Sequence, residues 1–169
     1  CIIERATRTL VLGCKDSLIP QSGIVVDISS KAFAGCIGMT ELFIPESVET
    51  VAEDSFEGCV NIGKVFLPSY AAGLIPFDSL KEVEIIAGET IEGEVFANAP
   101  ALETVGLSDK VKSIGNKAFY NVKSLKEISL GAALTLIGEY AFAECSALAK
   151  VNGGDAVSEI GEWAFRNTA

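Results

Sequence analysis

Apolar residues recur along this chain in three columns, each with a period of about 23 residues. The first column is a phenylalanine within windows such as KAFAGC and YAFAEC: Phe33, Phe56, Phe96, Phe119, Phe142 and Phe165. The second opens the pattern L-x-x-I-x-L, at Met39, Ile62, Leu80, Leu102, Leu125 and Leu148. The third lies five residues before each phenylalanine: Ile28, Val51, Ile91, Ile114, Ile137 and Ile160. Because the columns stay in register over most of the chain, the sequence predicts a repeat protein.

Each repeat predicts a short strand followed by a tight return. Runs such as LFIP, VFLP and ISLG alternate over a few residues, which indicates a strand that the following Pro or Gly ends. The return is too short for a long helix, so we expect a turn leading into one or two helical turns. The predicted fold is an α/β solenoid of about seven coils, with short parallel strands on the concave face and short helical or irregular returns.

Two regions depart from the period. A unit near residues 68–80 is shortened, and we expect its helical half to be truncated, which would bend the array locally. Residues 1–32 form a variant unit that begins with a predicted hairpin, and such a unit is either a cap or a decoration within a longer array. We expect one domain over residues 1–169, with regular repeats over 33–169. Its end directly after a phenylalanine window favours truncation from a longer array.

Three of the five cysteines occupy a column of their own, three residues after a phenylalanine: Cys36, Cys59 and Cys145. The structural interpretation is a set of buried thiols. The alternative is a disulfide between Cys36 and Cys59, since adjacent coils would bring them together. The redox state of these residues and of Cys1 and Cys14 stays open. No CxxC pair or metal-ligand spacing occurs, so we expect no cofactor.

Composition narrows the possible functions. The 23 acidic and 13 basic residues give a net charge of −10, which argues against nucleic acid as a partner and favours basic partners. The chain has no histidine, which excludes imidazole-based catalysis and imidazole zinc sites. The common catalytic motifs are also absent, and acidic pairs such as Glu82 and Glu84 are interpreted as solvated faces of a repeat. We therefore expect no enzymatic activity and no insertion into a membrane.

The strand pattern also predicts which side chains point outward, because neighbours of an inward residue face the opposite side of a sheet. One outward column is Glu41, Lys64, Glu82, Thr104, Glu127 and Lys150. The other is Phe43, Phe66, Glu84, Gly106, Ser129 and Asn152, which we expect Val11 to extend. Exposed apolar patches mark contact sites, so the candidate ligand contacts are Val11, Glu41, Phe43, Lys64 and Phe66. The alternative is that the hairpin or the shortened unit covers the two phenylalanines.

The three columns resemble the BspA-like leucine-rich-repeat family, whose unit runs close to L-x-x-I-x-I-P-x-S-V-x-x-I-G-x-x-A-F-x-G-C. Residues 43–59 (FIPESVETVAEDSFEGC) and 125–145 (LKEISLGAALTLIGEYAFAEC) match it best, and the match breaks down over 70–79. The resemblance implies a secreted or cell-surface bacterial protein whose leucine-rich-repeat solenoid is a non-enzymatic protein-interaction module. It also implies adhesion to host matrix proteins or to proteins of neighbouring cells, and it brings no catalytic residues.

Two other functions stay open at this point. A glycan-binding surface module would stack sugars on Phe43 and Phe66, although tryptophan and tyrosine are the more usual platforms. An architectural spacer would have no ligand of its own. We expect a monomer in each case.

Overall fold

The computed structural model describes residues 1–14 and 18–169, so part of the predicted N-terminal unit, residues 15–17, lies outside the described residues. Fourteen short strands follow one another in the described chain. They are β1 (Ile2–Glu4), β2 (Thr9–Leu12), β3 (Asp27–Ile28), β4 (Glu41–Phe43), β5 (Thr50–Val51), β6 (Lys64–Pro68), β7 (Glu82–Ala87), β8 (Thr90–Ile91), β9 (Thr104–Leu107), β10 (Ser113–Ile114), β11 (Glu127–Ser129), β12 (Leu136–Ile137), β13 (Lys150–Asn152) and β14 (Glu159–Ile160). A 3₁₀ helix over Ser69–Leu74 separates β6 from β7.

Six of these strands form one parallel sheet, here called the main sheet, in the order β13-β11-β9-β7-β6-β4. Neighbouring strands pair in register along both outward columns, so that Phe43 lies beside Phe66 and Phe66 beside Glu84. The one irregularity among the described strands of this sheet lies at the end of β6, between Leu67 and Pro68. The same register continues from Glu84 to Gly106 and on to Ser129. The two outward columns therefore lie along the sheet in the order that the alternation predicts.

The returns contain less helix than the sequence predicts. Two-residue strands form a second ladder, in the sheets β1-β2-β3-β5 and β14-β12-β10-β8, and each of β3, β5, β8, β10, β12 and β14 ends on a residue of the third apolar column. Turns follow these strands instead of helical turns. The physical reason is visible around Phe119, where Lys117 and Asn121 have φ angles of 56° and 58°. Left-handed residues on both sides of a phenylalanine prevent a right-handed helix from forming there.

The shortened unit contains more helix than the sequence predicts. We expected its helical half to be truncated, yet the 3₁₀ helix Ser69–Leu74 lies there and is the only helix of the described residues. Ala71 and Ala72 bury its inner side in the core. This helix stands where a further strand of the second ladder would lie, and the ladder is accordingly divided between β5 and β8.

The N-terminal hairpin joins the second ladder rather than the main sheet. β1 and β2 are antiparallel, and β2 pairs in parallel with β3 so that Leu10 lies beside Ile28. The main sheet therefore has six strands among the described residues, where the sequence predicted about seven. The apolar run in β2, which the sequence predicts as the additional strand, instead extends the third column, because Leu10 is fully buried beside Ile28.

The apolar columns stack in a core that runs the length of the array. Phe119 lies between Phe96 and Phe142, with 5.2 Å between ring centroids on each side. Two thiols of the cysteine column are buried and donate to a carbonyl of the preceding coil: Cys59 to Phe33 and Cys145 to Phe119, each at 3.0 Å. Cys36 and Cys59 are both thiols in the structure, so the alternative disulfide is not formed.

Candidate protein interface on the main sheet

Two phenylalanine side chains lie side by side on the outward face of the main sheet. Phe43 on β4 and Phe66 on β6 are register partners, and their ring centroids are 5.9 Å apart with the ring planes tilted by 36°. Both side chains are half-buried, whereas the phenylalanines of the inward column at residues 33 to 142 are fully buried. Neither the hairpin nor the shortened unit therefore covers them completely, and part of each ring is available to another molecule.

Lys64 lies beside this aromatic pair. Its Nζ forms an ion pair with Glu82 Oε1 at 2.6 Å and lies 4.8 Å from the centroid of the Phe66 ring. The hydrogen bond to Glu82 raises the pKa of Lys64. Glu41, the register partner of Lys64 on the other side, is exposed. We call Glu41, Phe43, Lys64 and Phe66 together the contact strip.

The structure does not bring Val11 to the contact strip. Val11 belongs to β2, which pairs with β3 in the second ladder, and its side chain is exposed there. The segment that borders Phe43 instead contains Leu18, Ile19 and Gln21, which line a cavity of about 50 Å³ together with β4. Among the residues that the structure describes, Leu18 is the most exposed large apolar side chain, at 83%. The apolar pair Leu18–Ile19 was a sequence signal for this neighbour, whereas the alternation within the hairpin predicted Val11 in its place.

A larger cleft opens at the carboxyl end of β4. It has a volume of about 350 Å³ and is lined by Gln21, Phe43, Pro45, Glu46, Ser47 and Ile86. Glu46 carries an ion pair with Lys110, Nζ to Oε2, at 2.7 Å, which joins two turns that are 64 residues apart in the chain. The Phe43 ring therefore lines both cavities, and the apolar surface of the contact strip extends beyond the end of the strand.

Glu84 continues the phenylalanine column and was not among the predicted contacts. The sequence suggested a solvated carboxylate, but the side chain is half-buried. Burial and the nearby charge of Glu82 raise its pKa, against a lowering effect of Lys64. The carboxylate lies over Gly106, where any Cβ would overlap it. No other described residue forms a hydrogen bond or an ion pair with it, so a recessed carboxylate stands unpaired next to Phe66.

The other end of the same face has a satisfied polar network. Glu127 accepts hydrogen bonds from Lys150 Nζ at 2.5 Å and from Asn152 Nδ2 at 2.7 Å, and these bonds lower its pKa. Asn152 also lies within hydrogen-bonding distance of Ser129, at 3.2 Å. These groups contact one another rather than presenting an unpaired group to a ligand.

The described residues contain no group of three or more acidic or cysteine side chains placed to hold a metal ion. No helix in the described part of the chain is long and apolar enough to cross a membrane.

The repeated coils and parallel main sheet define a leucine-rich-repeat solenoid. Residues 14–76 and 89–169 match the BspA type leucine-rich repeat region in six copies, so the chain belongs to this family. The match omits residues 77–88, which include the end of the shortened unit. Proteins of this family are generally non-enzymatic scaffolds and are typically surface-associated. Membership of the family suggests a protein-interaction module.

Solved structures of bacterial leucine-rich-repeat proteins share the fold. A leucine-rich repeat protein from Bacteroides ovatus is 28% identical with a TM-score of 0.54, over 86% of this chain and 45% of that protein. The leucine-rich repeat protein of T. pallidum is 23% identical with a TM-score of 0.56, over 90% of this chain and 76% of that one. The chain thus spans less than half of the B. ovatus protein. A search of curated proteins finds no match.

Proposed function

We propose that this chain is a non-enzymatic protein-interaction module of a secreted or cell-surface bacterial protein and that it binds a protein partner through the contact strip. The observation that carries the proposal is the half-buried pair Phe43 and Phe66 on the outward face. At the far end of the same outward column the corresponding residues are polar, Ser129 and Asn152. Buried aromatic side chains supply much of the binding energy in protein interfaces, and a rigid sheet presents these two without a large loss of conformational entropy.

The charge of the module favours a basic partner. The whole chain has a net charge of −10, and Glu41, Glu82 and Glu84 surround the single lysine of the contact strip. Surface association of the family supports adhesion to a host or neighbouring-cell protein as the biological role. Electrostatic attraction between the acidic module and a basic partner speeds association and weakens as salt is added.

The test is saturable binding of the purified chain to a panel of immobilised matrix proteins and glycans. The comparison uses Phe43→Ser/Phe66→Ser and, as the matched control, Ser129→Ala/Asn152→Ala at the other end of the same face. We expect the phenylalanine variant to weaken binding about thirtyfold or more, as loss of a hot spot does, and the control to bind as the wild type does. Circular dichroism and thermal unfolding of both variants are the control for a retained fold.

Three results would contradict the proposal. Equal binding by the folded phenylalanine variant would place the site elsewhere on the molecule. Saturable binding to glycans alone would favour a glycan-binding module. Absence of saturable binding to the whole panel would favour an architectural spacer.

A further inference from the structure

The carboxylate of Glu84 is half-buried and unpaired, whereas the other acidic side chains in the outward columns of the main sheet either pair with a neighbour or, like Glu41, are exposed to water. Glu82 pairs with Lys64, and Glu127 pairs with Lys150 and Asn152. Lys64 is near Glu84 but forms its close contact with Glu82. Removing a carboxylate from water without a partner is unfavourable, so this arrangement lowers the stability of the free protein. An incoming cation would supply the missing partner.

Gly106 creates the recess in which this carboxylate lies. It is the register partner of Glu84 on β9, and a side chain there would occupy the space that the carboxylate fills. On the other side of Glu84, the register partner is Phe66, whose ring is half-buried. The carboxylate is therefore bounded by an aromatic ring and by bare backbone. Both neighbours limit its contact with water, which strengthens its attraction for a cation that reaches it.

The following inference rests on the proposed function. We propose that Glu84 binds the cationic side chain of a lysine or arginine in an extended segment of the partner. An apolar side chain of the same segment packs on Phe43 and Phe66. Charge complementarity favours this occupant, because Glu41, Glu82 and Glu84 outnumber Lys64 on this part of the face. The aromatic pair next to the carboxylate adds the requirement for an apolar side chain.

The spacing of the face defines the motif in the partner. Adjacent strands lie about 4.8 Å apart, so the midpoint between Phe66 and Phe43 is about 7 Å from Glu84 along the column. Side chains two residues apart on one face of an extended segment are separated by about 7 Å as well. A segment that crosses the strands can therefore place its cation on Glu84 and its apolar side chain between the two rings. The expected motif is a lysine or arginine two positions from a large apolar residue.

The experiment selects peptides from a displayed random library on the whole chain. We expect enrichment of peptides with the basic and apolar residues two positions apart. The most enriched peptide is then synthesised, together with a version in which glutamine replaces its basic residue. Both are titrated against the wild type, Glu84→Gln and Glu127→Gln, the last being the control for loss of a paired carboxylate on the same face.

Glu84→Gln should weaken binding of the basic peptide about tenfold, and Glu127→Gln should leave it unchanged. The glutamine peptide should bind the wild type and Glu84→Gln equally, because the two changes remove the same contact. Gly106→Ala provides a second variant that displaces the carboxylate but retains its charge, and it should also weaken binding of the basic peptide.

The results separate this inference from the proposed function. Unchanged binding of the basic peptide by Glu84→Gln would overturn the inference, and so would a selection that enriches no peptide. If Phe43→Ser/Phe66→Ser still loses binding in the protein panel, the proposed function stands in either case. If that variant keeps all binding to the panel, the proposed function fails, whatever Glu84 contributes to peptide binding.

Discussion

The first three strands of the main sheet and the last three have the same interior and different outward faces. Inward residues such as Val65 and Ile128 are fully buried in both groups, and the exception is Val151 on the terminal strand β13, which is exposed. Outward, the first group presents Phe43, Phe66 and the unpaired Glu84, whereas the last group has polar side chains that bond to one another. Repetition of inward positions is sufficient to build the solenoid. Departures from repetition on the outside are therefore the features that point to a ligand.

Because the two halves share the same kind of core, the contribution of a core phenylalanine to stability should depend on how many phenylalanine rings it stacks against. It should not depend on which half of the molecule contains it. Phe119 has a ring neighbour on each side and is fully buried, while Phe165 has one neighbour, Phe142, at 5.1 Å and is half-buried. Phe119→Ala should lower the free energy of unfolding by about 3–5 kcal/mol, and Phe165→Ala by about 2 kcal/mol or less. Denaturant unfolding followed by circular dichroism measures both. Equal losses would show that the stack does not act through neighbouring rings.

The cysteine column gives a second comparison, between Cys145 and the half-buried Cys36. Burial raises the pKa of Cys145 to about 11 from an ordinary value of 9.0, which reduces its thiolate fraction near neutral pH about a hundredfold. Alkylation of the native chain at about pH 8, with labelled positions identified by mass spectrometry, should modify Cys36 well before Cys145. Denaturant should remove the difference. Rapid labelling of native Cys145 would mean that its coil opens readily.

The two halves of the second ladder differ in how closely their backbones approach. A Cβ on Gly138 would lie 2.7 Å from Asn116 N and from Gly115 C, whereas Ala52 occupies the corresponding column position in the N-terminal half. Gly138→Ala should therefore cost about 1–3 kcal/mol, because backbone atoms must move. Ala52→Ser is the matched control and should change stability by about 0.5 kcal/mol or less. Thermal unfolding compares the two, and a neutral Gly138→Ala would contradict the close packing.

Much of this architecture can be predicted from the sequence, because the columns and their common register follow from spacing alone. The second ladder was not predicted, since a strand of two residues such as Ser113–Ile114 has no periodicity of its own. The helix Ser69–Leu74 was not predicted either, because its sequence does not follow the repeat. The recess at Glu84 depends on the absence of a side chain at Gly106, which becomes meaningful once the register is known.

The smallest effect concerns the contrast between Glu84 and Glu127. Burial raises the pKa of Glu84 in the folded state, so the folded chain binds this proton more tightly than the unfolded chain does. Its contribution to stability is present below the usual glutamate pKa and is lost as the pH rises through the folded value. The pKa of Glu127 is lowered by its hydrogen bonds, so its contribution is present above the usual pKa and is lost as the pH falls.

Glutamine substitutions at the two positions should therefore have opposite signs near neutral pH. Glu84→Gln should raise the free energy of unfolding slightly, by about 0.5 kcal/mol or less because the group is partly solvated, and Glu127→Gln should lower it. The Glu84→Gln difference should shrink first, as the pH falls through the raised pKa of Glu84. The Glu127→Gln difference should persist to lower pH and shrink as the pH falls through the lowered pKa of Glu127. Urea unfolding at several pH values measures them. A loss of stability in Glu84→Gln at neutral pH would mean that the carboxylate has a stabilising partner in the free protein, and the outward faces of the two halves would then not differ in this respect.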